Sequence, residues 1–295
     1  MYGNILIGIK GDPDDDRRAI ELARRVASPE SRLTLVHVSV VTPFGSEREG
    51  LELELDAPEE RTHVFAEQLA LAGEGTHLLR EHAPSVGRGL QAAAERVDAD
   101  LLVLGSTRHR GLERLLEGDD VEATLARTRC AVAIADGAGT HGLDPIRTIG
   151  VAYDATPDAV AAVEHARALA TALGARLTPL YVAAPHVYAT GFGMVAYPVE
   201  DPEAVVKAAR TNMGTVAGEP VKVIYGDPTW ELEKFTERVD LLVCGSRRQH
   251  TVRRLVFGST TTSLSRNAHC PLIVAPPVAT VRPAEPSTTA SAPAA

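Results

Sequence analysis

Arg32-Leu33-Thr34-Leu35-Val36-His37-Val38 recurs as Arg176-Leu177-Thr178-Pro179-Leu180-Tyr181-Val182, an offset of 144 residues. At the same offset Asp12-Pro13 faces Thr156-Pro157. Farther along, Arg96-Val97-Asp98 recurs as Arg238-Val239-Asp240. Leu101-Leu102-Val103-Leu104-Gly105-Ser106 then recurs as Leu241-Leu242-Val243-Cys244-Gly245-Ser246, now at an offset of 140. Gly118 matches Gly258 and Cys130 matches Cys270 at that offset of 140. Matches in constant order, broken only by short insertions, identify a duplicated domain.

Each copy alternates apolar runs with helical stretches. The first predicts strands near 4–10, 32–38, 76–80, 101–105 and 131–135, and helices near 14–27, 58–72, 86–98 and 119–128. The second predicts strands near 147–153, 176–182, 221–225, 241–245 and 272–275, and helices near 157–173, 201–216, 229–238 and 259–267. Ala19, Leu22, Ala23 and Val26 show the helical period. Asp12-Pro13, Thr156-Pro157 and Asp227-Pro228 each set a capping side chain before a proline at the first helical position. Strands alternating with helices require crossover connections and a parallel sheet. The expected fold is therefore α/β: two tandem doubly wound domains, each a five-stranded parallel sheet of order 3-2-1-4-5 with helices on both faces. That order puts strands 1 and 4 at a switch point. The expected boundaries are 1–136 for the first domain, a glycine-rich linker over 137–146, and 147–276 for the second. Residues 277–295 are Pro, Ala, Ser and Thr with almost no large apolar side chain, and form a flexible tail on this reading.

Composition agrees with this parse and excludes several classes. Hydrophobic residues are 44% but aromatic ones only 4%, so the cores must be aliphatic, as strands buried on both faces require. The net charge of -9 argues against nucleic acid or an anionic membrane as partner. No stretch approaches the roughly 18 uncharged apolar residues of a membrane span. Met1-Tyr2-Gly3-Asn4 enters an apolar strand directly, without the basic region and cleavage site of a secretory signal. Cys130, Cys244 and Cys270 make no CxxC and no even disulfide framework, so a reducing, cytoplasmic location is expected.

Ligands of such sheets bind beyond the carboxyl ends of the strands at the switch point. In the second copy the loop after strand 4 runs from Gly245-Ser246-Arg247-Arg248 to Gly258-Ser259-Thr260. Its arginines 247, 248, 253 and 254 stand out in an acidic chain, and it opens a helix whose free amides suit an anion. The competing reading is that Ser259 caps that helix and the arginines are solvated.

Gly245-x-x-Arg248, nine residues, Gly258-Ser259, and then Cys270-Pro271-Leu272-Ile273-Val274, resemble the universal stress protein family, in its tandem-domain bacterial form. The resemblance spans roughly residues 3–135 and 147–275 and includes Val151-Ala152-Tyr153-Asp154-Ala155-Thr156. It implies an adenine nucleotide, with Mg2+ where that is ATP. Asp154 and the backbone of Val182 would meet the adenosine part, and Gly245, Arg248, Gly258 and Ser259 the phosphates; Ala155, Ser246 and Thr260 complete the expected nucleotide-binding set. Arg248 replaces the family's second glycine, and its side chain either crowds a phosphate or pairs with it. The first copy has Lys10 where the second has Asp154, and Gly118-Asp119-Asp120 where the second has Gly258-Ser259-Thr260, so its site is expected to be degenerate. The resemblance further implies pairing of the two halves through their fifth strands, near 131–135 and 272–275, and leaves room for a homodimer.

Other chemistry is sparse. The cluster Asp12, Asp14, Asp15 and Asp16 fits a helix dipole better than a metal. His37, His165 and His269 lack zinc spacing. The cysteines fit packing, and no GxSxG, HExxH or Walker lysine motif occurs. Gly191-Phe192-Gly193-Met194 reads as an ordinary mobile loop after strand 2 that could flap over a ligand. The leading expectation is a stress-response regulatory binding protein holding ATP, AMP or cyclic AMP in its second half, and not an enzyme. The alternatives are a nucleotide-free interaction scaffold and, behind it, a weak ATPase.

Overall fold

The computed structural model describes residues 1–41, 58–105, 128, 130–135, 144–185, 187–190, 193–196, 201–246 and 258–276. The expected helix near 119–128, most of the linker, the tail, Arg248 and the tip of the Gly191–Met194 loop at 191–192 lie outside them.

The first half runs β1 (Tyr2–Gly8), α1 (Pro13–Val26), β2 (Ala27–Val40), α2 (Pro58–Ala72), β3 (His77–Ala83), α3 (Val86–Arg96), β4 (Leu101–Leu104) and β5 (Ala131–Ile134). The second runs β6 (Thr148–Ala152), α4 (Pro157–Leu173), β7 (Arg176–Ala183), β8 (Val187–Thr190), β9 (Gly193–Ala196), α5 (Pro202–Met213), β10 (Thr215–Val216), β11 (Glu219–Pro220), β12 (Lys222–Tyr225), α6 (Pro228–Thr236), β13 (Leu241–Gly245), α7 (Ser259–Asn267) and β14 (Leu272–Ala275).

The sheet order is β12-β7-β6-β13-β14-β5-β4-β1-β2-β3. Each half therefore has the expected order, with parallel pairing throughout. The two five-stranded sheets are fused into one of ten strands where β14 pairs antiparallel with β5, Ile273 facing Ala133. This is the fifth-strand pairing inside a single chain. Each face carries a core that crosses the seam. One gathers Ile5, Ile7, Ala19 and Leu22 with Val151, Ala162, Val163 and Ile273. The other gathers Leu6, Leu90 and Leu102 with Phe235, Leu242 and Leu264. Burying both faces of β4, β5, β13 and β14 explains their unbroken aliphatic sequences.

The three proline-preceding caps act as the sequence predicts. Asp12 accepts from the Asp14 and Asp15 amides, Thr156 from Ala159, and Asp227 from Trp230. Several element ends differ from expectation. The helix predicted over 201–216 stops at Met213, where Gly214 turns at φ 54°, and a β10–β11 hairpin follows. The loop after β7, expected to be irregular, contains the antiparallel β8–β9 pair. The repeat alignment also needs one correction. Asp100, not Asp98, is the counterpart of Asp240: Asp100 accepts from the Gly3 and Asn4 amides, and Asp240 from the Arg147 and Thr148 amides. Asp98 instead ends the turn after α3 at φ 49°.

Candidate functional site

The switch point of the second half lies where β6 is flanked by β7 and β13. Register fixes what meets there. Ala152 faces Leu180, so Asp154 and Val182 stand two residues farther along their neighbouring strands. Val151 faces Val243, which brings Gly245 and Ser246 to the same carboxyl edge.

Asp154 is exposed, and its Oδ1 accepts from the Thr156 amide at 3.0 Å and the Thr156 hydroxyl at 2.5 Å. Ala155 between them is held at φ 62°, a left-handed conformation that costs an alanine roughly 1 kcal/mol. Thr156 in turn caps α4. Val182 is half-buried and paired with Ile224. Gly245 is glycine for a packing reason: a Cβ there would lie 2.7 Å from the Asp158 carbonyl oxygen, at the first turn of α4. Ser246 is 2% exposed and its hydroxyl has no hydrogen-bond partner among the described residues, an unusual state for a buried polar group.

Gly258 is the N-cap of α7, and among the described residues no side chain caps that helix. The competing reading of Ser259 as the cap is thereby corrected: Ser259 is already inside the helix and exposed, with half-buried Thr260 following. The caps described for α1, α3, α4, α5 and α6 are all side chains: Asp12, Ser85, Thr156, Asp201 and Asp227. A helix start without one leaves its first amides free for an anion.

The equivalent corner of the first half is filled by its own side chains. Lys10 Nζ lies 2.5 Å from Asp15 Oδ2, and Arg18 holds the other oxygen of Asp15 at 2.9 Å. Asp16 accepts from the Lys10 and Gly11 amides, each at 3.0 Å, and from the Gln68 side-chain amide. Burial pushes the Asp16 carboxyl up to about 7, against the pull of those two amides. The acidic cluster is thus only partly the dipole device expected. Asp12 caps α1 and Asp14 is exposed beside Arg17, but Asp15 and Asp16 are buried. Among the described residues no group of three His, Cys, Asp or Glu is arranged for a metal. Gly105 repeats the role of Gly245, with a Cβ 3.1 Å from Asp15.

Cys130, Cys244 and Cys270 are buried and not joined by a disulfide, and burial pushes Cys130 up to about 11 and Cys244 to about 12. His165 shares a 2.6 Å hydrogen bond with the Tyr2 hydroxyl, tying α4 to β1 across the halves. Burial lowers the basicity of the His165 imidazole. No sequence signal announced that pair. Among the described residues no helix is long and apolar enough to cross a membrane.

Fold and site together define a tandem α/β protein whose first switch point is filled by its own side chains and whose second carries Asp154, Gly245 and Ser246 at its carboxyl edge. Residues 1–136 and 145–276 each match the universal stress protein family, and the chain belongs to that family. Among solved structures it is similar to a universal stress protein from Archaeoglobus fulgidus DSM 4304, at 18% identity and TM-score 0.62, covering 93% of this chain and 98% of that one. A putative universal stress protein from Pseudomonas aeruginosa UCBPP-PA14 aligns at 15% identity and TM-score 0.56, over 93% of each chain. A universal stress protein solved in complex with cAMP aligns with 46% of this chain and 97% of its own, at 23% identity and TM-score 0.35. Comparison with curated proteins finds no match.

Proposed function

We propose that the C-terminal half binds an adenine nucleotide (ATP, AMP or cyclic AMP) and that the protein acts as a regulatory binding protein of the stress response, not as an enzyme. Two observations carry this reading: among the described residues no side chain caps the start of α7, and the buried hydroxyl of Ser246, on the sheet edge that also carries Asp154, has no hydrogen-bond partner among them. The α7 amides and Ser246 supply donors for phosphate. Asp154 supplies an acceptor for ribose or base, and Val182 supplies backbone at the adenine edge. Mg2+ would enter with ATP, and the cytoplasm is the compartment this reading assumes.

A ligand that binds only the folded chain raises its melting temperature through RT ln(1 + [L]/Kd). Millimolar AMP, cyclic AMP or ATP is expected to raise the melting temperature measurably. Flat melting curves and flat calorimetry with all of them would defeat the reading. Two observations favour the scaffold alternative instead: Gly245 has a packing reason independent of phosphate, and the halves share continuous cores. Arg248→Gly separates the two. A gain of ATP affinity marks a lost site, whereas a loss marks an arginine that pairs with phosphate.

A further inference from the structure

The two halves meet at more than the β5–β14 seam. A cleft of about 600 Å3 lies where the start of β1 and the residues before β4 and β5 approach α4, and Met1, Tyr2, Asp98, Asp100, Cys130 and His165 help to line it. There the Tyr2 hydroxyl and His165 Nε2 are hydrogen-bonded at 2.6 Å, with ring centres 5.6 Å apart. The bond spans 163 residues of chain and ties the first strand of one half to the first helix of the other. It holds a strand end whose ladder is irregular. The pairing of β1 with β2 slips between Tyr2, which faces Ala27, and Asn4, which faces Arg32. The Gly3 and Asn4 amides turn to the Asp100 carboxylate. Tyr2 is 6% exposed and belongs to the core shared by the halves, so its side chain is what pins this end.

Histidine is the side chain whose charge ordinarily changes near neutrality. Burial, and after it the Met1 amine, hold the His165 imidazole below the usual 6.5, and the Asp100 carboxylate opposes them. Burial raises the Tyr2 phenol and pushes the Cys130 thiol up to about 11, so neither changes charge between about pH 5 and 7. Asp98 is the remaining acid of the lining. On α4 itself Glu164 and Arg167 pair with each other at 2.7 Å, and the strands beneath contribute apolar Val151, Val243 and Ile273. A proton on His165 therefore sets a full positive charge against a buried phenol, in a place that favours the neutral ring. With the folded imidazole held below its unfolded 6.5, its contribution to stability is full above pH 6.5 and is lost as pH falls through the lower folded value.

We propose that the Tyr2–His165 bond is an acid-released latch between the halves: on acidification the imidazole takes up a proton from solvent, the start of β1 lets go of α4, and the cleft opens. The test is hydrogen exchange of the full chain, read in its N-terminal peptide by mass spectrometry. Protection of that peptide, corrected for the intrinsic rate, is expected to fall about fivefold or more between about pH 7 and about pH 5. His165→Gln, neutral at both, is expected to lose that fall. Tyr2→Phe keeps the ring without the hydroxyl, and its N-terminal peptide is expected to be about fivefold less protected already at about pH 7. Equal protection at both pH values in the natural chain, or the same fall in His165→Gln, overturns the latch. So does a Tyr2→Phe chain as well protected near neutrality as the natural one.

Discussion

The two switch points of this chain are built on one plan and finished in opposite ways. In both, a carboxylate before strand 4 accepts from two amides at the start of strand 1, and a glycine at the end of strand 4 lies against the first turn of the helix that follows strand 1. The first half then closes its corner with Lys10, Asp15, Arg18 and Asp16. The second places Asp154, Ala155 and Thr156 there, leaving a carboxylate at the surface, and on the same edge the buried Ser246 hydroxyl has no partner among the described residues. A duplicated fold preserves what packing demands, and the side chains that pack against nothing else are free to diverge.

That contrast can be broken, starting with the largest effect. Lys10→Ala leaves the buried Asp15 with Arg18 alone, and a loss of about 3 kcal/mol in unfolding free energy by denaturant titration is expected. A loss below about 1 kcal/mol would show that the ion pair does not close the first corner. Gly245→Ala forces a Cβ onto the Asp158 carbonyl and is expected to cost about 2 kcal/mol, against about 1 kcal/mol for Gly105→Ala, whose Cβ has 3.1 Å of room.

The pH dependence sharpens the contrast from another side. Asp16 titrates from 3.8 when unfolded to about 7 when folded, so the folded state holds that proton more tightly. Its contribution to stability is full below pH 3.8 and is lost as pH rises through 7, at up to about 1.4 kcal/mol per pH unit. Asp16→Asn should remove this slope, giving a stability profile flatter than that of the natural chain between pH 4 and 7. The second half has Val160 in that place and contributes no such slope. Parallel profiles for the two proteins would contradict the burial of Asp16. The smallest effect concerns the loop itself. Gly11 at φ 89° and Ala155 at φ 62° hold matching positions, so Ala155→Gly should stabilise the chain by about 0.5–1 kcal/mol and raise its melting temperature.

Much of this was legible in the sequence. The repeat, the strand order and the capping prolines depend on local chemistry and on periods that survive duplication. The Asp98–Asp240 match misled because Arg-Val-Asp recurs by residue type, while the two-amide clamp depends on distance from strand 4 and selects Asp100. Ser259 looked like a cap because serine commonly is one, yet the residue before it already has the extended cap backbone. The buried Lys10–Asp15 pair was hidden for a different reason. A run of aspartates at a helix start gives no sign of which carboxylates turn inward, and that choice is made by Gln68 and Lys10 from elsewhere in the fold.

The central claim is that the second half's corner takes a nucleotide whereas its twin is filled by its own side chains. Calorimetric titration of the full chain with AMP measures this as a stoichiometry. One nucleotide per chain is expected, with binding weakened by about 30-fold or more in Ser259→Asp, which brings the carboxylate of the first half's Asp119 to the start of α7. Two nucleotides per chain, or unchanged binding in Ser259→Asp, would contradict the account.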